Sequence, residues 1–170
     1  MPDVISIQPF GEIDPMIIRS LEDVLTSSFH CDIEVLSPLD MPLHAFSARR
    51  NQFSAPTILR RITRLEVGEG RKVLSITNDD LYVRGRNYIF GQAQVNGVCA
   101  VISLYRLRTG DMLNFIERVR KESVHEIGHT FGLLHCDRHD CVMRFSENAE
   151  ETDAKPITFC DDHRMLLEEK

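Results

Sequence analysis

Three histidines and a glutamate near the C-terminus have the spacing of a catalytic zinc site. The string His125-Glu126-Ile127-Gly128-His129 separates its two histidines by four residues, which places both rings on one face of a helix. Glu126 lies about 100° around the same helix, beside a shared metal ion rather than bound to it. A carboxylate in that position can take a proton from a zinc-bound water, so Glu126 is the predicted general base.

The residues after this string offer a third ligand. Gly132 can end the helix by adopting a left-handed conformation, which lets the chain turn back toward the metal. His135 is then placed to reach the same ion. Three neutral imidazoles leave one coordination position for water, which is the arrangement that a catalytic zinc requires. The sequence therefore predicts a hydrolytic zinc site with His125, His129 and His135 as its ligands.

A second group of metal-binding residues follows directly: Cys136, Cys141, Cys160 and His163. Three thiolates and one imidazole complete a closed tetrahedral site, which is typical of structural zinc. His139 is the competing fourth ligand, and His163 is preferred because it begins a predicted last helix beside Cys160. Two zinc ions per chain are therefore expected, one catalytic and one structural. Reduced thiols that bind no metal are the alternative.

The two groups meet at one point of the chain, because His135 and Cys136 are adjacent. Adjacent side chains of an extended segment point to opposite sides, so one short segment can serve both sites. We hypothesise that the cysteine group fixes the loop that presents His135. The remaining cysteines, Cys31 and Cys99, lie in apolar surroundings and are predicted to be small buried hydrophobic residues.

The pattern ahead of these groups predicts the elements that must position them. Strands are predicted over residues 4–7, 31–36, 72–77, 88–94 and 98–104, and helices from residues 15, 55 and 111. The last strand is almost continuously apolar, which favours a central place in a mostly parallel sheet. The polar, alternating segment 88–94 favours a sheet edge, where an extended peptide can add by strand pairing.

Helical periodicity also predicts which faces are buried. In the third helix, an apolar arc packs on the sheet, and the residues predicted to face water on the opposite side are Arg118, Lys121 and Glu122. In the second helix, the residues predicted to share the apolar side are Ile58, Ile62 and Leu65.

Length and composition narrow the functional classes. The chain has 170 residues, of which 42% are hydrophobic, and this predicts one domain over residues 1–170. We divide it into an N-terminal subdomain, 1–132, and a C-terminal subdomain, 133–170. The net charge of −6 argues against general affinity for nucleic acid or anionic lipid. The sequence shows no long apolar stretch and no export leader, so we expect a cytoplasmic monomer without nucleic-acid or membrane partners.

The order of these motifs resembles a known family. H-E-I-G-H-T-F-G-L-L-H-C is followed by Cys141-Val142-Met143 and Cys160-Asp161-Asp162-His163. This arrangement is similar to that of the archaemetzincins, a family of zinc metalloproteases in the metzincin clan, and the similarity covers most of residues 70–163. The usual last pair of the family is Cys-x-x-Cys, so His163 here replaces one type of zinc ligand by another.

The resemblance implies a metzincin-like zincin fold in the α/β, or mixed α+β, class. Such a fold has a twisted, mostly parallel mixed sheet, a backing helix, an active-site helix and a small zinc-stabilised C-terminal subdomain. The resemblance also implies that Met143 forms an apolar floor under the three histidines. Some other metzincins carry a tyrosine just after this methionine, whereas Arg144 and Phe145 follow it here.

The leading hypothesis is a zinc-dependent metallopeptidase that hydrolyses peptide bonds through a zinc-bound water activated by Glu126. Its substrates would be peptides or proteins, and the resemblance implies aminopeptidase action for some family members. The alternative is a zinc-stabilised peptide- or protein-binding module with little or no turnover. The retained glutamate favours the enzyme, because a purely structural zinc needs no base beside it. A zinc hydrolase of non-peptide amides is a third interpretation.

Overall fold

The computed structural model of the chain describes residues 4–64, 68 and 70–169, so the predicted apolar position Leu65 lies outside the described residues. Within the described residues, the first two helices each lie between strands, and the last three elements are helices. Their bounds are β1 Val4–Phe10, α1 Pro15–Phe29, β2 Asp32–Val35, β3 Phe46–Ser47, β4 Gln52–Ser54, α2 Ala55–Thr63, β5 Arg71–Thr77, β6 Leu81–Tyr82, β7 Gly91–Ala93, β8 Cys99–Ser103, α3 Met112–Thr130, α4 Ala149–Ala154 and α5 Asp161–Glu168.

Five strands form the main sheet, in the order β2-β1-β5-β8-β7. The pairs β1–β2, β1–β5 and β5–β8 are parallel, and β7 pairs antiparallel with β8 at the edge. Strands β3, β4 and β6 form a small second sheet. The mixed, mostly parallel sheet predicted from the sequence is therefore confirmed, and so is the edge position of β7, although β7 is shorter than the predicted segment 88–94.

Strand β8 pairs with β5 on one side and with β7 on the other, so its predicted place inside the sheet is confirmed, although β5 is the middle strand. The strand is fully buried, because helices cover both faces of the sheet at this point. Cys99 and Val101 belong to the core that includes Ile58 of α2, whereas Ala100 and Ile102 belong to the core formed with α1 and α3. An apolar run reports that a strand is covered on both faces, and it carries no information on its order in the sheet.

Helices α1 and α3 lie on the same face of the sheet and contact each other. Each begins at an aspartate whose side chain accepts a hydrogen bond from a free backbone N–H: Asp14 from Met16, and Asp111 from Leu113. Such caps stabilise the first turn of a helix by about 1 kcal/mol. Among the residues that the structure describes, no helix is both long and apolar enough to cross a membrane.

The polar face of α3 is covered, so the prediction that Arg118, Lys121 and Glu122 face water is wrong. Arg118 is 8% exposed and Glu122 is 4% exposed, because α4 and the residue after it pack over this face. Arg118 pairs with Asp153 at 2.6 Å, and Lys155 Nζ lies 2.8 Å from Glu122 Oε1. Periodicity identifies polar positions, but a distant part of the chain decides whether they meet water or an opposite charge.

Candidate metal centre and its cavity

The last turns of α3 bring His125 and His129 together, with their Nε2 atoms 3.1 Å apart. In both rings Nδ1 faces a backbone carbonyl. Val142 O lies 2.8 Å from Nδ1 of His125, and Leu133 O lies 2.7 Å from Nδ1 of His129. A carbonyl oxygen only accepts hydrogen bonds, so each Nδ1 carries the proton and each Nε2 keeps its lone pair for a metal.

The chain reverses after α3 at Gly132, whose φ is +87°. This left-handed conformation costs glycine little, so the reversal is tight. It places the ring of His135 4.9 Å from that of His129 and 5.3 Å from that of His125, measured between centroids. One ligand nitrogen from each of the three rings lies within 4.8 Å of the other two.

The spacing and protonation of these rings fit a zinc ion. Zn–N bonds of about 2.1 Å in a tetrahedral site separate ligand nitrogens by about 3.4 Å. Burial lowers the pKa of His125 well below its usual value, and it also lowers the pKa of His129 and of His135. The positive charge of Lys155 lowers all three further. The rings are therefore neutral near pH 7, and the neutral ring is the form that binds a metal.

Glu126 projects from α3 toward the edge strand β7 and is 5% exposed. A Cβ added at Gly91 would lie 2.7 Å from the Cγ and Oε1 atoms of Glu126, so glycine at this position leaves room for the carboxylate. Burial raises the pKa of Glu126 well above its usual value; Glu122 raises it further, whereas Lys155 lowers it. A raised pKa makes the carboxylate a stronger base, which suits proton transfer near neutral pH.

Met143 packs against the part of α3 that carries the histidines. A Cβ added at Gly128 would lie 2.6 Å from Met143 Sδ, so the glycine between the histidines lets the thioether approach the helix. Met143 is fully buried, and its carbonyl accepts a hydrogen bond from the Cys136 N–H. The structure thus places an apolar, polarisable side chain directly against the histidine-bearing segment.

The second group of ligand atoms belongs to Cys136, Cys141, Cys160 and His163, and these also lie within 4.8 Å of one another. The sulfurs of Cys136 and Cys160 are 4.0 Å apart, and Cys141 Sγ is 3.2 Å from His163 Nδ1. Zn–S bonds of about 2.3 Å in a tetrahedral site separate sulfurs by about 3.8 Å, so the observed spacing fits zinc. A disulfide would bring the sulfurs to about 2 Å. His139 is exposed and lies outside this group.

The histidine group lines a cavity of about 570 Å³. One wall consists of β7 and the residues before it, the other of α3, and the rim includes the segment after Met143. Tyr88 donates a hydrogen bond from its hydroxyl to Glu147 O across the rim, and the Phe145 ring lies 5.1 Å from that of His135. His135 itself is exposed, so the cavity opens to solvent beside the histidines.

Comparison with known proteins identifies the family. The chain matches the sequence profile of Peptidase family M54 over residues 45–169. It is 40% identical over 173 residues to the archaemetzincin of Haloquadratum walsbyi, and the alignment covers 96% of this chain and 99% of that relative. The chain belongs to the archaemetzincin family. It is therefore a zinc metallopeptidase, and its substrates are peptides or proteins.

Two solved archaemetzincin structures share the fold. The structure from Archaeoglobus fulgidus, complexed with malonate, has a TM-score of 0.86 and 37% identity and covers 96% of this chain and 99% of that chain. The structure from Methanopyrus kandleri has a TM-score of 0.89 and 36% identity and covers 98% of this chain and 93% of that chain. The metzincin-like fold implied by the motifs is thus confirmed.

A buried ion pair behind the histidines of this archaemetzincin escaped prediction. Besides its bond to Lys155, Glu122 Oε1 accepts a hydrogen bond from Thr152 Oγ1 at 3.3 Å, and Lys155 Nζ donates to Arg144 O at 3.4 Å. The pair connects α3, one turn before the motif, with the C-terminal part of the chain. The four-residue spacing of Glu122 and Glu126 was the available signal, because it places both on one helix face. No local pattern marks Lys155.

Proposed function

We propose that this archaemetzincin hydrolyses peptide bonds in its cavity, with Glu126 as general base and with His125, His129 and His135 as ligands of a catalytic zinc ion. The supporting observation is that one buried carboxylate and three neutral imidazoles line the same open cavity. Zinc, when bound, supplies a Lewis acid that polarises the scissile carbonyl and activates a water molecule.

One side chain of the protein then transfers a proton from the water to the leaving group. Glu126 removes it from the attacking water and delivers it to the leaving amine nitrogen, so the carboxylate ends as it began. The raised pKa of Glu126 favours the first of these steps. The carbonyls of Val142 and Leu133 keep the two helical histidines in one tautomer throughout.

The edge strand β7 is the proposed binding site for the backbone of the substrate. It pairs with β8 on one side, and its residues Gly91, Gln92 and Ala93 line the cavity. An extended peptide can therefore add to its free edge by backbone hydrogen bonds. The closeness of Glu126 to Gly91 would then bring the peptide backbone beside the general base.

We further propose a second, structural zinc ion at the cysteine group, with His163 rather than His139 as the fourth ligand. Four protein ligands leave no position for water, so this ion would stabilise structure without doing chemistry. One hydrophobic core includes Ile7 from the proposed subdomain 1–132 and Val142 and Leu167 from the proposed subdomain 133–170. This shared core supports a single domain.

The test is mass spectrometry of a diverse peptide pool incubated with zinc-loaded wild-type protein, Glu126→Ala and the control Glu117→Ala. Glu117 lies on the same helix and pairs with Arg120 away from the cavity. We expect cleavage by wild type and by the control, and a loss of about 10²- to 10⁴-fold in Glu126→Ala. Zinc content, measured in all three proteins, should be equal.

The positions of the cuts determine the mode of action. Removal of N-terminal residues would support the aminopeptidase action that the family resemblance implies, and internal cuts would support an endopeptidase. Equal products from wild type and Glu126→Ala would reject the proposed role of Glu126. A zinc-loaded wild type that binds peptides and cuts none would favour the binding module.

A further inference from the structure

Some charged side chains that line the cavity form ion pairs within the protein, and others do not. The acidic side chains among the described lining residues are Glu122, Glu126 and Glu147. Glu122 is neutralised by Lys155, and Glu126 is assigned to proton transfer. Among the same described residues, Arg86 is the one lysine or arginine that lines the cavity. It is therefore the candidate group for binding an anion on the substrate.

The Phe145 ring lies between the guanidinium of Arg86 and the ring of His135. Its Cζ atom is 4.8 Å from the centroid of the Phe145 ring, and that ring is 5.1 Å from the ring of His135. Stacking on an aromatic face fixes the plane of a guanidinium and leaves its N–H groups free at the edges. Arg86 is exposed, and the described part of the chain supplies no carboxylate within 4.0 Å of it.

Side-chain hydrogen bonds from two neighbouring residues anchor the turn that carries Arg86. Arg50 Nη2 donates to the carbonyls of Arg86 and Asn87 at 2.7 and 3.0 Å, and Gln52 Nε2 donates to the same Asn87 carbonyl at 2.9 Å. The backbone N–H of Arg86 donates to Val83 O at 3.2 Å. An anchored turn loses less conformational freedom when its side chain binds a ligand.

From this geometry we infer that Arg86 is a specificity-determining residue that binds the side-chain carboxylate of a glutamate or aspartate flanking the scissile bond. The contacts through Phe145 place Arg86 Cζ within about 10 Å of the His135 ring, and about three residues of an extended peptide span that length. The side chain of a residue close to the bond cleaved at the histidines can therefore reach Arg86. A guanidinium binds a carboxylate through two parallel hydrogen bonds. The inference rests on the proposed function, and it names acidic peptides as the favoured substrate class.

The experiment compares kcat/KM for two peptides that differ at one position, glutamate or glutamine, beside a cleavage site found in the peptide pool. Both peptides carry a C-terminal amide. Wild type should favour the glutamate peptide by about tenfold, the size expected for a hydrogen bond between charged groups. Arg86→Ala should abolish the preference, and Arg86→Glu should favour a third peptide with lysine at that position.

Arg84→Ala is the matched control, because Arg84 is exposed in the same turn but does not line the cavity. It should keep the wild-type ratio, and all variants should retain wild-type zinc content. An unchanged ratio in Arg86→Ala would overturn the inference. So would a preference seen only when the peptides end in a free carboxylate, because Arg86 would then bind the chain end.

A binding measurement separates this inference from the proposed function. The dissociation constants of the same two peptides are measured with the zinc-loaded Glu126→Gln protein, with and without Arg86→Ala. Tighter binding of the glutamate peptide that disappears with Arg86→Ala supports the role of Arg86 even where turnover is absent. Equal binding of both peptides by Glu126→Gln overturns it, whether or not wild type cleaves them.

Discussion

The histidine group and the cysteine group differ in which segments supply their side chains and in whether those side chains line the cavity. Two of the histidines lie on one helix and the third is exposed, and all three line the cavity. The cysteine group draws its four ligands from three segments, around residues 136, 141 and 160–163. None of these four is among the described residues that line the cavity.

This difference fits the two roles proposed for zinc, catalytic at the histidine group and structural at the cysteine group. Three protein ligands beside a cavity leave a coordination position that water and substrate can reach. Four protein ligands away from the cavity leave none, so a zinc ion bound there would only join segments of the chain. Ligand number and access, rather than the identity of the ion, would therefore separate the proposed catalytic role from the proposed structural role.

Backbone hydrogen bonds join the two groups. Val142, between Cys141 and Met143, accepts the hydrogen bond that orients His125. The N–H of Cys136 donates to the carbonyl of Met143. These bonds connect the cysteine group with His125. That the cysteine group also fixes the loop that presents His135 stays a prediction.

The largest expected effect comes from removing one side chain of the cysteine group. Cys141→Ser should lose the structural zinc, whose binding contributes on the order of 10 kcal/mol, and should weaken zinc at the histidine group by about 10- to 100-fold. His135→Ala should lose only the catalytic zinc. Metal analysis and thermal unfolding of both variants would measure this asymmetry.

Cys31→Ser is the control, because this half-buried thiol lies outside both groups and should leave the zinc content unchanged. If Cys141→Ser lost one zinc ion and kept wild-type affinity at the histidines, the two groups would be independent. The backbone connection through Val142 would then have no functional consequence.

The sequence predicted the features that depend on residues close together in the chain. One helical turn separates His125 from His129, one glycine reverses the chain, and Cys-x-x-His places two ligands side by side, so the structure brings both predicted groups together. The strands of the main sheet and helices α1, α2, α3 and α5 were predicted for the same reason, since each depends on the pattern of consecutive residues. The short elements β3, β4, β6 and α4 were not predicted.

Contacts between distant segments could not be predicted in the same way. Arg118 and Glu122 look solvent-exposed in a helical pattern, and only the packing of residues 149–155 buries them. The order of β8 in the sheet and the place of Arg86 on the cavity rim likewise depend on tertiary packing. A single sequence records the types of these residues but not their partners.

A smaller effect is expected from the ion pairs that lie near the two groups. Near the histidines, the side chains of Lys155 and Glu122 are 1% and 5% exposed. Lys155→Met leaves a buried carboxylate without its cation and should cost about 3–5 kcal/mol in the free energy of unfolding. Near the cysteines, Arg138 and Asp140 form an exposed pair, so Arg138→Ala should cause no measurable change.

Urea unfolding of the zinc-loaded proteins measures both effects. Adding Glu122→Leu to Lys155→Met removes the unpaired charge and should recover part of the lost free energy. A loss in Arg138→Ala as large as in Lys155→Met would show that burial does not distinguish the two pairs.

The smallest effect expected is a change in the pH dependence of kcat/KM for hydrolysis at the histidine group. Burial and then the Glu122 carboxylate raise the pKa of Glu126, whereas Lys155 lowers it. Glu122→Gln removes the negative charge and leaves Lys155 acting alone, so both changes lower the pKa of Glu126. The base then stays ionised at lower pH, and the acid limb of kcat/KM should move to lower pH.

Asp153→Asn, which removes a carboxylate paired with Arg118, is the control and should leave the acid limb in place. A limb that moves to higher pH in Glu122→Gln would mean that Glu126 is not the group whose ionisation this limb reports.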